Sequence, residues 1–179
     1  MKAEHILKFW FQTLTAKDWF SQNHEVDNTI MHRFGTVHER AVAGGLTVWR
    51  ETIHGRLAEI IVLDQFSRNL HRNTSAAFAA DGMALALSQE AIDLDLKPLN
   101  SIERSFLYMP FMHSESLLMH RRSIELFSEP GLEHNLTFAQ SHMAIIERFG
   151  RYPHRNGVLN RQSTQQELAY LEDGGETFS

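Results

Sequence analysis

The chain has 179 residues, 42% hydrophobic and 22% charged, with a formal net charge of −5. That length supports one compact domain burying roughly 70% of its unfolded surface, and the composition excludes a disordered or collagen-like chain. The net negative charge disfavours nucleic acid as a partner, and the lack of cysteine excludes disulfides, thiolate nucleophiles and thiolate-held metals.

A cysteine-free chain suits a reducing cytoplasm, which is the expected location. No apolar run approaches the roughly 20 residues of a membrane span, and no basic amphipathic helix points to a membrane surface. Thirteen of the seventeen basic residues are arginine, a bias that suits planar pairing with carboxylate or phosphate.

From the N-terminus, Ile6-Leu7-Lys8-Phe9-Trp10-Phe11 opens as a helix, because Lys8 interrupts the apolar stretch and no small-residue cleavage site follows. Val26, Ile30, Phe34, Val37 and Ala41 then form one stripe at helical spacing, stopping near Gly44-Gly45. From about Gly55, apolar residues from Leu57 to Phe66 cover every side, which predicts a wholly buried central helix. Asn73-Thr74-Ser75 offers capping oxygens for a helix running past Ile92 toward Lys97-Pro98.

Asn100-Ser101 caps the next helix, which must kink or restart at Pro110 before running on toward Phe127. Continued at 100° per residue, that path places His113, Leu117, His120, Ile124 and Phe127 on one face. After the Glu129-Pro130-Gly131 turn, Phe138, His142, Ile145 and Phe149 share a stripe. Thr164 and Glu167 make a capping box, with Leu168 and Leu171 as a short apolar face behind it. No stretch alternates as a strand would. Residues 1–179 are therefore read as a single all-α domain, a layered array of antiparallel helical hairpins.

The polar residues on these stripes carry the functional expectation. Asp64 and Arg68, four apart at the end of the central helix, are carried inward and should pair. His113, His120 and His142 occupy positions where apolar residues are expected. The densest cluster is Arg148-Phe149-Gly150-Arg151-Tyr152-Pro153-His154-Arg155-Asn156, inside a stretch from Arg148 to Gln166 that holds no acidic residue. Arg161 extends this positive patch toward the capped final helix, whose free N–H groups suit an anion.

Ile6 to Phe11, Leu63-Asp64-Gln65-Phe66-Ser67-Arg68-Asn69, Phe106 to Glu115, and Arg148 to Asn156 form four stretches. Taken together, they resemble the bacterial family known as domain of unknown function 924. The family often has Pro where Ser67 stands and Phe where Tyr152 stands. The resemblance implies an all-α fold related to the tetratricopeptide-like (TPR-like) helical superfamily, and it implies no particular activity.

Two functions follow. In the first, the chain is a binding module whose Arg/His-rich junction holds a small anionic ligand or an anionic group of a protein partner. Its candidate residues are Asp64, Arg68, His113, Glu115, His142, Arg148, Arg151, His154, Arg155 and Asn156. In the second, Asp64, His113, His142 and His154 hold a divalent metal for a hydrolase or lyase, with Glu115 as general base.

Overall fold

The helical spacing of apolar residues becomes helices throughout. The computed structural model describes residues 1–177, and no strand occurs among the described residues. Helix α1 (Ala3–Lys8) runs on through a wide π-helical turn, Phe9–Thr13, and is followed by α2 (Ala16–Phe20) and α3 (His24–Val42). All five stripe residues of α3 are buried, and the chain leaves the helix at Gly44 with a left-handed φ of 74°.

The central helix, α4 (Ile53–Ile61), is capped by Thr52, whose Oγ1 accepts the Gly55 N–H at 3.0 Å. It continues through a second π-helical segment, Val62–Phe66, into the short α5 (Ser67–Leu70). Every residue from Leu57 to Phe66 is buried, as the all-round apolar pattern requires. Even Glu59 is 0% exposed, and Arg50 satisfies its carboxylate with two hydrogen bonds of 2.7 Å.

Gly55 matters here because a Cβ at this position would lie 1.9 Å from the Trp49 carbonyl oxygen. That oxygen belongs to the backbone and cannot swing aside. Gly55→Ala is expected to destabilise the protein by about 2–4 kcal/mol, read as a lower urea midpoint, because overpacking against main chain forces the helix start to move.

The single helix expected from Asn73 to Lys97 is divided. Thr74 Oγ1 donates to the His71 carbonyl at 2.8 Å instead of capping, Ser75–Phe78 forms a 3₁₀ turn, and α6 spans only Asp81–Ile92. Helix α7 (Ser101–His113) starts with the Asn100–Glu103 capping box. It does not restart at Pro110, which lies buried inside it. The break falls at Ser114, where ψ is 148°, and α8 (Leu117–Phe127) begins after it. His113 and His120 therefore belong to different helices, since the extended backbone at Ser114 breaks the 100° periodicity that would put them on one face.

Helix α9 (Glu133–Phe149) turns slightly differently from the expected stripe. Phe138 is 44% exposed, while Ala139, His142, Ile145 and Ile146 are buried. In α10 (Gln165–Glu172) the Thr164–Glu167 box is present, but Leu168 is 48% exposed and Glu167 is the buried residue. An ion pair described below accounts for that inversion. Helix α6 packs on α7, α7 on α8 and α8 on α9, while α4 touches α1, α6 and α7. An aromatic cluster of Phe9, Trp10, Phe34, Phe66 and Phe106 fills the centre.

Candidate functional site

The π-helical segment brings Asp64 out of α4 fully buried, at 0% exposed, and four residues later Arg68 sits over it. Arg68 Nη1 lies 2.9 Å from Asp64 Oδ1, and His113 Nδ1, at the end of α7, lies 2.8 Å from the same oxygen. Gln65 Nε2 donates to Oδ2 at 2.5 Å. Burial pushes the Asp64 carboxyl up, but the Arg68 and His113 partners outweigh it and hold it well below the usual carboxylate range. Asp64 is thus an anion that only accepts hydrogen bonds.

Arg68 also reaches Asp81, the first residue of α6, with Nη1 and Nη2 at 3.0 and 3.1 Å. Asp81 in turn receives Arg155 Nη1 at 3.4 Å. The Arg155 guanidinium packs 4.4 Å from the centres of both the Phe78 and Tyr152 rings, and the residue is only 6% exposed. Its Nε has no hydrogen-bond partner among the described residues. Burial, with the like charge of Arg68, lowers its pKa from the ordinary arginine value. A buried cation with spare donors is the least satisfied charge in this region.

Behind Arg155 lies a histidine cluster gathered on Tyr152. The Tyr152 hydroxyl donates its one proton to the Met112 carbonyl at 2.5 Å, so the His142 Nδ1 found 2.8 Å away must be the donor to it. His120 Nε2 donates to the Ser114 carbonyl at 2.7 Å and lies 3.3 Å from the same hydroxyl. Burial lowers the His120 pKa to about 4 and that of His142 further still. It also lowers the His154 pKa to about 4, and both buried His154 ring nitrogens lack a hydrogen-bond partner among the described residues.

The remaining candidates serve as struts. Glu115 accepts two hydrogen bonds from Arg161, at 2.5 and 2.9 Å, and one from the Tyr152 N–H at 2.8 Å. It is no free base, which corrects the general-base expectation. Arg151 grips Glu167 at 2.7 and 2.8 Å, drawing that glutamate inward and leaving Leu168 outside. Asn156 is buried between Ser163 and Arg161. Arg148 is exposed, resting over the Phe149 and Tyr170 rings away from the cluster.

The expected metal ligands do not converge. His113 and His142 ring centres are 6.2 Å apart, Arg68 already occupies the Asp64 oxygen that His113 reaches, and His142 binds Tyr152. Among the described residues, no group of three His, Asp or Glu side chains is arranged to hold a metal ion. The reason is the Ser114 corner together with the arginines: positive guanidinium groups stand where a cation would have to sit.

A concavity of ≈ 330 Å³ opens between the Ser75–Phe78 turn, the start of α6, the corner after α7, and Arg155 with Leu159, while no residue of the central helix lines it. Its wall includes Phe78, Asp81, Leu85, His113, Arg155 and Leu159. Phe78, Asp81, Leu85 and Leu159 escape a sequence reading. Asp81 looks there like any acidic residue at a helix start, and it is 74 positions from the Arg155 it meets.

Fold and site define an all-α domain built around a buried network of aspartate, arginine and histidine beside a small open cavity. Residues 6–175 match the family model described as "Bacterial protein of unknown function (DUF924)", and the chain belongs to this family. It is similar to a solved structure, "Structure of Protein of Unknown Function ATU0120 from Agrobacterium tumefaciens". Identity is 36%, coverage is 96% of this chain and 97% of that one, and the TM-score is 0.91. No curated protein matches the chain. Among the described residues, no helix is long and apolar enough to cross a membrane.

Proposed function

We propose that the protein is a soluble helical binding module whose concavity takes the carboxylate or phosphate of a small ligand or partner group, anchored by Arg155. One observation carries this reading: Arg155 is buried against two rings, lines the cavity, and has more donors than the protein satisfies. The arginines of the acid-free stretch are not equivalent. Arg151 and Arg161 are consumed by Glu167 and Glu115. A TPR-like arrangement of the hairpins and a cytoplasmic setting belong to the same proposal, supported by the packing of each of α6 to α9 on the one before and by the absence of cysteine.

Thermal shift tests it with phosphates, nucleotides and carboxylic acids. A binder present at 100 times its Kd adds about 2.7 kcal/mol, or roughly 5–10 °C of Tm for a chain of this size. Arg155→Met keeps the apolar stem and should lose that gain, whereas Arg148→Met should retain it. Equal midpoint gains for wild type and Arg155→Met with every compound, or no gain in wild type, would refute the proposal.

A further inference from the structure

The cavity wall carries a second functional group besides Arg155, and the two together narrow the ligand. Asp64 is ionised and accepts only, so the proton of the 2.8 Å contact with His113 must sit on Nδ1. A ring that carries its one proton on Nδ1 presents Nε2 as an acceptor. With Nδ1 committed to the interior and the ring lining the cavity, Nε2 is the nitrogen left for a ligand, and it needs a donor. A purely anionic ligand supplies none.

Charge selects further. Asp64, Asp81 and Glu115 face Arg68, Arg155 and Arg161, so three carboxylates balance three guanidinium groups. A dianion would overload that balance, while a single carboxylate fits one planar guanidinium with spare N–H groups. An ammonium group would find no free carboxylate, because Asp64, Asp81 and Glu115 each already hold an arginine. The donor offered to His113 is therefore neutral, and a hydroxyl is the smallest such group. Phe78, Leu85 and Leu159 leave room for a short apolar body, and ≈ 330 Å³ stands at the small end of ligand cavities.

We infer that the ligand is a small hydroxylated monocarboxylate: its carboxylate on Arg155, its hydroxyl donating to His113 Nε2, its carbon chain against Phe78, Leu85 and Leu159. This rests on the anion-binding reading above and adds the hydroxyl and the single charge.

Calorimetric titration of the full chain decides it, using four- to six-carbon 2- and 3-hydroxy acids, the matching unsubstituted acids and inorganic phosphate. At least one hydroxy acid should bind about fivefold tighter than its unsubstituted parent, the worth of one neutral hydrogen bond. His113→Phe should erase that preference while retaining the parent acid, and Leu159→Trp should block both by filling the cavity. If His113→Phe fails to fold, the wild-type comparison alone decides. Equal affinity for both acid types, or binding of phosphate only, would overturn the inference and leave the anion site standing. No binding by any probe would remove both.

Discussion

Asp64→Ala is expected to lower the unfolding free energy by about 3–5 kcal/mol, the usual cost of removing one partner from a buried ion pair. Asp64 is fully buried and holds Arg68, His113 and Gln65 at once, so its loss leaves the His113 ring N–H without its acceptor and Arg68 with Asp81 as its one carboxylate. Burial alone would favour the neutral acid. The two partners reverse that preference, which shows that the charge belongs to the folded state. Urea denaturation at neutral pH measures the loss, and Arg68→Met in the Asp64→Ala background should recover part of it by removing a cation that has lost one of its two carboxylates. A change below about 1 kcal/mol in Asp64→Ala would mean that the network is not a support of the fold.

Acid should act first through the histidines, not through Asp64. The His120 pKa falls from 6.5 to about 4 because burial penalises its charged form. At about 1.4 kcal/mol for each pH unit, His120 alone accounts for about 3 kcal/mol. The sign follows from proton uptake. Between these values the unfolded chain binds a proton that the folded ring refuses, so the stabilisation is present above pH 6.5 and is lost as pH falls through about 4. His154 and His142 are lowered in the same sense.

Asp64, by contrast, keeps its contribution until pH falls below the ordinary carboxylate value, since its folded pKa is depressed. Against a typical domain stability of roughly 5–15 kcal/mol, the histidines predict a steep decline between pH 6.5 and 4. Denaturant midpoints taken across that range read it directly, and His120→Asn should flatten part of the slope. A stability constant down to pH 4.5 would contradict it.

Much of this was legible in the residues themselves. The stripe of α3, the all-round burial of α4, the Asn100 cap and the Thr164–Glu167 box each followed from local spacing, and the Asp64–Arg68 pair followed from its separation of four. The errors have physical causes. A 100° projection fails once the chain turns at Ser114, so His113 and His120 reach the interior from separate helices. Glu167 is drawn inward by Arg151 from 16 positions away, an attraction that hydrophobic periodicity does not register.

The cavity was legible only in part. Arg155 and His113 stood out as polar residues in conspicuous company, but Asp81 and Phe78 become relevant only when α6 folds against them. Tyr152 is instructive, because nothing in local spacing marks its hydroxyl. Here that hydroxyl joins His142, His120 and the Met112 carbonyl.

The clamp between Glu115 and Arg161 has a consequence for biosynthesis. It ties the corner between α7 and α8 to a side chain 46 residues later, and the same arginine holds Asn156 and the Tyr152 carbonyl in place. A nascent chain can build its helical core before Arg161 leaves the ribosome, yet Glu115 then stays unpaired and the Arg155 wall unbraced. Arg161 must therefore be synthesised before that corner is braced, so a chain truncated ahead of Arg161 should stay helical while the Arg155 wall loses its support.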